Sequence, residues 1–325
     1  MKTLLSIGDF VDLYYKFSSS GFGRILYRLL PSFKKSRTKK SWNYLQESSP
    51  ANYWDLPLVH KRWNKLISGN PEIEYPQYIM SKYLSDRNYL KLLSPGCGTG
   101  QKELKFASFN NFSLIEAFDL SPQRITFANK TVVQLGIKNI IYSVSDVLSF
   151  DFGNDRYDVI LFDSFLHHIK NLDDVLAKVH VSLRKNGILI IMEYVGPARF
   201  QWTQEQLKKS NEILKKLPST YRRRFGNSKI KSKIFRPGLL RMIMSDPSEA
   251  VSSDLILAKL KTYFKTIEEK QIGGNILQLI LKDISHNFIE LTDESVGLLF
   301  QIFDIEDEFL AAGNKADFIF GVYSK

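Results

Sequence analysis

The spacing of hydrophobic positions changes at residue 91, where short apolar runs begin to alternate with longer amphipathic stretches. The apolar runs predict five strands, at 89–93, 113–118, 140–143, 157–162 and 187–193. The stretches between them predict helices at about 101–109, 122–135 and 171–184. This alternation is typical of βαβ units, so we expect a mostly parallel α/β sheet with helices on both faces.

Two segments of different character precede this core. Residues 1–50 are aromatic and basic and end in the Ser-Ser-Pro run at 48–50, which predicts an arm bounded by a loop. Residues 51–90 have apolar and aromatic positions at helical spacing, which predicts a helical cap. The core itself is expected at 91–195.

The chain continues well beyond the fifth strand. Residues 196–260 predict a basic, helical insertion that is too long for a simple crossover, with a helix at 203–217. Residues 261–325 predict strands at 265–270 and 316–323 and helices after Gly274 and at 293–312. These two strands would complete a seven-stranded sheet.

The composition is that of a globular protein, because 44% of its 325 residues are hydrophobic and 24% are charged. No run approaches the roughly 18 apolar residues that would span a bilayer. The first residues contain no long apolar core of the signal-peptide kind, and the single cysteine, Cys97, cannot form an internal disulfide. We therefore expect a cytoplasmic location.

The net charge of +11 is unevenly distributed. Residues 24–40 hold seven Lys or Arg and no acid, and residues 222–241 hold eight and no acid. Such segments suit an anionic membrane surface, a nucleic acid or a phosphorylated substrate, and equally a solvated loop. Because an apolar, aromatic run at 10–17 precedes the first segment, peripheral contact with an anionic membrane is one hypothesis.

A cluster of glycines lies between the first strand and the first core helix. Gly96, Gly98 and Gly100 allow a tight turn and close approach of the backbone to a ligand. The dinucleotide fingerprint would need a glycine at the sixth position, where this chain has Gln101. The G-x-G-x-G spacing instead resembles motif I of class I S-adenosylmethionine (AdoMet)-dependent methyltransferases.

Four later segments match the same family in the same order. Asp119 ends the second strand, Asp146 follows the third, and Asp163 follows the fourth and leads into Leu166-His-His. Leu183-Arg-Lys-Asn-Gly resembles the turn before the fifth strand. The resemblance implies a Rossmann-like fold and AdoMet as cofactor. It also implies a set of cofactor-binding residues: Ser94, Gly96, Cys97, Gly98, Gly100, Asp119, Leu120, Asp146, Val147, Asp163 and Ser164.

One residue departs from the family pattern. The family often has an acid two residues before the first glycine, and here that position is Ser94. The acid commonly helps to hold the loop and the methionine ammonium group. Asp163 or a backbone carbonyl would therefore have to bind that ammonium.

The string from Glu193 to Trp202 resembles one in uncharacterised methyltransferases of bacterial glycan and secondary-metabolite gene neighbourhoods. It lies at the carboxyl end of the fifth strand, where ligands of open α/β sheets bind. Four residues are candidates for acceptor binding: Trp54, Tyr194, Arg199 and Trp202. The alternative is that Tyr194 and Trp202 pack the insertion onto the sheet and Trp54 belongs to the cap core.

Methyl transfer from a sulfonium needs alignment above all, and a hydroxyl acceptor also needs a proton acceptor. The candidates for this base are His168, then His167, then Glu193. Adjacent histidines on a helix point in different directions, so we expect only one to face the site. No metal site is predicted, because no third ligand accompanies the two histidines.

We expect a small-molecule or glycan acceptor, with O-methylation favoured over N- or C-methylation. One alternative is a methyltransferase acting on RNA or another polyanion through the basic segments. That alternative lacks an Asn-Pro-Pro-Tyr type motif or a recognisable RNA-binding appendage. Another is a protein that binds AdoMet and methylates nothing, since fold alone does not prove activity.

Overall fold

The structure, a computed structural model, describes residues 3–11, 52–226 and 229–325. Its centre is a seven-stranded sheet with strand order β3-β2-β1-β4-β5-β7-β6. The first five strands of that order are parallel, and β7 runs antiparallel to β5 and β6. The strands are β1 Leu90–Pro95, β2 Phe112–Asp119, β3 Ile140–Val144, β4 Tyr157–Asp163, β5 Leu183–Tyr194, β6 Lys265–Gly273 and β7 Phe318–Ser324. The predicted Rossmann-like, mostly parallel sheet is confirmed.

Helices cover both faces of this sheet. They are α1 Pro57–Ser68, α2 Tyr75–Tyr83, α3 Gln101–Ala107, α4 Pro122–Leu135, α5 Leu172–Ser182, α6 Gln204–Lys216, α7 Leu239–Ser245, α8 Ile256–Tyr263, α9 Leu277–Leu281 and α10 Asp293–Ala311. One apolar core holds side chains of α1 to α4, α6, α9 and α10. A second apolar core holds side chains of α5 and α8.

Strand β4 shows why the sequence of the central strands is almost continuously apolar. Val159 and Leu161 belong to one core, whereas Ile160 and Phe162 belong to the other. Successive side chains point to opposite faces of a strand, and here both faces are covered by helices. The four side chains are therefore completely buried.

The fifth strand begins earlier than its sequence predicts. The segment from Leu183 to Gly187, expected as a turn, already belongs to β5, and Leu183 is the partner of Tyr157. The register shifts between Tyr157 and Val159, which accommodates the extra residues. The carboxyl end of β5 is unaffected and carries Glu193 to the same sheet edge as Asp163.

The cap is attached to the antiparallel side of the sheet. Tyr78 and Tyr83 donate hydrogen bonds to the Glu268 carboxylate of β6, at 2.9 and 2.7 Å. Trp63 of α1 packs on Phe318 of β7, with ring centroids 5.7 Å apart. The cap therefore packs against β6 and β7, the two strands that lie beyond the parallel part of the sheet.

The second basic segment, 222–241, is largely engaged inside the fold. The buried Lys231 ammonium donates to the carbonyls of Leu279, Ile280 and Lys282 at 2.7 to 2.9 Å. Arg224 pairs with Asp283 and Arg241 with Asp9, at 2.7 and 2.8 Å. These cations hold the insertion to its neighbours, so they are not a free polyanion-binding surface.

The first basic segment, 24–40, lies outside the described residues, as does most of the apolar run at 10–17. The hypothesis of peripheral membrane contact therefore stays a prediction. Among the residues that the structure describes, no helix has the length and apolar character needed to cross a bilayer.

Candidate active site

The glycine loop joins β1 to α3 and is tied to the neighbouring strand. The N–H groups of Gly96 and Cys97 donate to the Phe118 carbonyl of β2, at 2.7 and 3.1 Å. Gly96 has a φ of +72°, and a Cβ atom there would overlap the Phe165 ring. Glycine is required at this position for both reasons.

Asp119 ends β2 beside this loop and is 2% exposed. Its carboxylate accepts hydrogen bonds from the N–H groups of Gly98 at 3.0 Å and Ser121 at 2.8 Å. Burial raises the pKa of Asp119, and these two donors partly offset that effect. The loop, the strand end and the start of α4 are thereby held together.

Two adjoining cavities open at the carboxyl edge of the parallel strands, where open α/β sheets bind ligands. The first, of about 320 Å³, is mainly apolar and is lined by residues that include Leu120, Ser145, Asp146, Val147 and Ile169. The second, of about 400 Å³, is mainly polar and is lined by residues that include Asp119, Arg124, Ser164, Asp246 and Glu249. Gly96, Phe165 and His168 line both.

Glu193 organises the short helix that carries the two histidines. This completely buried carboxylate accepts from the N–H groups of Phe165, Leu166 and Tyr194 at 2.6 to 2.8 Å. It also makes a very short contact with Nδ1 of His167. Burial on its own would lower the pKa of His167, but the Glu193 carboxylate outweighs this and raises it.

His168 lies in a different environment from its neighbour, although the two rings are only 4.1 Å apart. Its Nδ1 is 3.2 Å from the Ser248 hydroxyl, which in turn donates to Asp246 at 2.7 Å. Since the hydroxyl proton goes to Asp246, this network assigns the imidazole proton to Nδ1. Burial, together with the neighbouring His167, lowers the pKa of His168 well below 6.5, so this ring is neutral at pH 7.

Glu249 completes the cluster from the insertion. Its Oε1 lies 3.7 Å from His167 Nε2, and burial raises the pKa of its carboxyl. His167, His168 and Glu249 form what we call the imidazole–carboxylate cluster, and their donor atoms lie within 4.8 Å of one another. These are the residue types that hold a divalent ion such as Zn²⁺. Glu249 is about 80 residues from the histidines in the chain, so the sequence alone does not indicate it as their neighbour.

Arg199 holds the loop that presents Glu249. Its guanidinium donates to the carbonyls of Asp246, Pro247 and Glu249, at 3.3, 2.6 and 2.9 Å. The N–H of Val251 donates to the His167 carbonyl at 2.9 Å and ties this loop to the histidine helix. Arg199 therefore holds the loop with Asp246 and Glu249, which forms part of the wall of the polar cavity, and does not itself line that cavity.

A protein family described as a methyltransferase domain matches residues 86–279, which is more than half of the chain. The chain belongs to this methyltransferase family. The match covers the glycine loop, the histidine helix and the loop that carries Glu249. Membership confirms the predicted class and makes AdoMet the cofactor of this methyltransferase-domain protein.

Curated relatives match over shorter spans. A ubiquinone biosynthesis O-methyltransferase from Rickettsia canadensis is 27% identical over 144 residues, which cover 41% of this chain and 58% of that protein. A ubiquinone/menaquinone biosynthesis C-methyltransferase from Blochmanniella pennsylvanica is 24% identical over 102 residues, which cover 31% and 40%. The chain thus spans less than two thirds of the length of either relative.

The fold also has solved counterparts. Phosphoethanolamine N-methyltransferase 2 from Haemonchus contortus, solved in complex with S-adenosyl-L-methionine, superposes with a TM-score of 0.50 at 14% sequence identity. The superposition covers 89% of this chain and 60% of that chain. At this identity the likeness concerns the fold alone.

Six of the residues predicted to bind AdoMet line the two cavities: Gly96, Asp119, Leu120, Asp146, Val147 and Ser164. The remaining five do not line either cavity: Ser94, Cys97, Gly98, Gly100 and Asp163. Asp163 accepts from the Tyr75 hydroxyl at 2.7 Å and lies 3.6 Å from the Lys102 ammonium. Its carboxylate is therefore turned toward the cap, away from the place expected for it.

The four residues predicted to bind the acceptor lie outside both cavities. Tyr194 is buried and donates to the Pro197 carbonyl at 3.1 Å, while Trp202 is buried against Phe200. Trp54 lies on the cap, packed edge-on against Tyr53 at 5.1 Å. Tyr194 and Trp202 pack the insertion onto the sheet, Trp54 is 41% exposed, and Arg199 acts through the loop described above.

Three charged residues of the polar cavity were not anticipated: Arg124, Asp246 and Glu249. Arg124 is in α4, close to the glycine loop, whereas Asp246 and Glu249 come from the insertion. A further missed residue, Glu103, lies in the first turn of α3 and faces the sheet. Positions 103, 106 and 107 share one face of a helix, and this spacing would have indicated that the Glu103 side chain is buried.

Proposed function

We propose that this protein transfers the methyl group of AdoMet to a hydroxyl group of a small-molecule or glycan acceptor. The observation that carries the proposal is the polar cavity, which adjoins the apolar one and contains a neutral imidazole, His168, on their common wall. A methyl acceptor in that cavity lies beside the residues that line both cavities, Gly96, Phe165 and His168.

The cavities fit the parts of AdoMet. The apolar cavity suits adenine, with Asp146 on its wall as the proposed partner of the amino group, and Asp119 on the wall of the polar cavity is the proposed partner of the ribose hydroxyls. The glycine loop leaves room for close approach of the ligand to the backbone. When bound, AdoMet supplies an electrophilic methyl group on a sulfonium. The chain has to hold the acceptor oxygen within about 3 to 3.5 Å of that methyl and in line with it.

His168 is the proposed catalytic base. Its ring lines both cavities and so presents an imidazole to the hydroxyl group that loses its proton. Glu193 does not contact either cavity and positions the histidine helix instead. Of the three candidate bases, His168 lines both cavities and His167 and Glu193 line neither, while Glu249 is placed to orient the acceptor.

The size and charge of the polar cavity favour a small acceptor. A volume of about 400 Å³ is in the range of small-molecule sites. Its walls carry the carboxyl groups of Asp119, Asp246 and Glu249 against the single guanidinium of Arg124. An RNA phosphate backbone would meet predominantly acidic groups there, which disfavours the polyanion alternative.

The test is methyl transfer from isotopically labelled AdoMet to a panel of phenols, sugars and amines, with the product bond assigned by NMR. We expect label on oxygen, and a fall in kcat of about 10²- to 10⁴-fold in His168→Gln with AdoMet affinity retained. Labelled nitrogen or carbon, or an unaffected His168→Gln, would contradict the proposed chemistry. AdoMet binding without transfer to any acceptor class would favour the non-catalytic alternative.

A further inference from the structure

The acid that motif I commonly carries is missing from β1, but a carboxyl group reaches the same place from α3. The Ser94 hydroxyl donates to Glu103 Oε1 at 2.5 Å, and both residues are 2% exposed. Glu103 is in the first helical turn after the glycine loop. A buried serine and a buried glutamate thus replace a single acid at the end of the strand.

One of the two oxygen atoms of the Glu103 carboxyl group makes no hydrogen bond to the described residues. Among the described residues, Glu103 Oε2 has neither solvent contact nor a hydrogen-bond partner. Buried polar atoms without partners are rare, because leaving them unpaired costs free energy. Such an acid next to a ligand-binding loop leaves a charge that a cationic partner on the ligand would offset across the loop.

The charged groups around Glu103 do not supply that partner. Lys102 lies on the same helix, but its ammonium is 3.6 Å from Asp163 and lies over the Tyr75 ring. The other ionisable groups that interact with Glu103 are acids: the Asp163 carboxyl, the Cys97 thiol and the hydroxyls of Tyr75 and Tyr142. In the described part of the chain, acidic groups around Glu103 thus outnumber the one nearby ammonium, Lys102, which is engaged with Asp163.

We propose that Glu103 is the carboxylate of the glycine loop in this chain, and that it provides the counter-charge for the ammonium group of the methionine part of AdoMet. The inference rests on AdoMet binding in the proposed function. Because Glu103 does not line either cavity, it is a positioning residue that acts from beneath the loop through Ser94 and through its charge.

The role has a pH signature. Burial is the main cause that raises the pKa of Glu103 to about 7 in the free protein. A ligand ammonium favours the ionised carboxylate, so binding has to remove the Glu103 proton when the pH is below that value. Affinity for AdoMet should therefore fall by up to about tenfold for each pH unit below 7.

The experiment compares two ligands by calorimetry at pH 7.5 and 5.5: S-adenosylhomocysteine, which has the methionine ammonium, and 5′-methylthioadenosine, which lacks it. We expect Glu103→Gln to weaken S-adenosylhomocysteine binding about ten- to hundredfold at pH 7.5 and to leave 5′-methylthioadenosine within about twofold. At pH 5.5 the two proteins should bind S-adenosylhomocysteine alike, because Glu103 is protonated there.

The double variant Ser94→Asp/Glu103→Ala returns the acid to the strand and should restore S-adenosylhomocysteine affinity, which a purely structural role of Glu103 would not predict. Equal loss of both ligands in Glu103→Gln, or no loss of either, would overturn the inference. Methyl transfer distinguishes it from the proposed function, since a protein that shows the Glu103 effect but transfers no methyl group contradicts only the latter.

Discussion

Replacing Glu193 with Gln tests whether this carboxylate organises the histidine helix. Glu193 Oε2 accepts from two backbone N–H groups, and Oε1 accepts from the Tyr194 N–H and contacts His167 Nδ1. Glutamine has one acceptor oxygen and one donor nitrogen. If the oxygen keeps the two bonds of Oε2, the amide nitrogen faces the Tyr194 N–H and the His167 ring.

The expected cost follows from those contacts. One buried backbone N–H loses its acceptor, which costs about 1 to 3 kcal/mol, and the charge-assisted contact with His167, worth about 1.5 to 3 kcal/mol, is lost. The total of about 2.5 to 6 kcal/mol brackets the usual cost of about 3 to 5 kcal/mol for breaking a buried ion pair. A domain with a typical stability of about 5 to 15 kcal/mol should still fold.

The cost should depend on pH. Glu193 raises the pKa of His167, so the stabilisation from this pair is fully present below the unfolded pKa of 6.5 and is lost as the pH rises through the folded pKa. Urea denaturation should therefore show a larger difference between Glu193→Gln and wild type at pH 6 than at pH 9.

Glu308→Gln, on the exposed side of α10, is the matched control and should change the free energy of unfolding by less than about 0.5 kcal/mol. A cost below 1 kcal/mol for Glu193→Gln at pH 6, or the same cost at both pH values, would refute the assigned role of Glu193.

Three further changes probe the site. Gly96→Ala should abolish AdoMet binding measured by calorimetry, because its Cβ would overlap Phe165, whereas Gly136→Ala, also at positive φ but with open space, should retain binding and cost about 1 kcal/mol. Arg199→Ala should lower kcat at least about tenfold with AdoMet affinity unchanged, since misplacing the cavity wall impairs alignment; an unchanged kcat would contradict its positioning role. Dialysis against a chelator should leave methyl transfer unchanged, because Glu193 and Ser248 contact the two histidines and Arg199 holds the Glu249 loop without an ion; lost activity restored by a metal would show the opposite.

The structural features that depend on residues close together in the chain were predicted best from the sequence. The strands, the glycine loop and Asp119 follow from local spacing, and each parallel strand carries its polar end to the same sheet edge. Contacts between distant segments could not be predicted in this way. Glu249 meets His167 only because Arg199 holds the insertion loop against the histidine helix.

The candidates at the carboxyl end of β5 do not line either cavity, for a related reason. Glu193 and Tyr194 both lie at the carboxyl end of β5, next to the site. Because successive side chains point to opposite faces of a strand, the two residues have different surroundings. Glu193 points to the histidine helix, and Tyr194 packs with Phe318 on the cap side. The burial of Glu103 could be predicted from the helical spacing of its segment. Its pairing with Ser94, in contrast, is recognisable only from the contact between them.

The central claim is that the joined cavities bind AdoMet, and calorimetric titration of the purified protein with AdoMet and S-adenosylhomocysteine tests it most directly. We predict one-site binding of both ligands to the wild type and its loss in Asp119→Ala, with both proteins folded by circular dichroism. A well-folded wild type that binds neither ligand, or an Asp119→Ala variant that binds as tightly as wild type, would contradict the account.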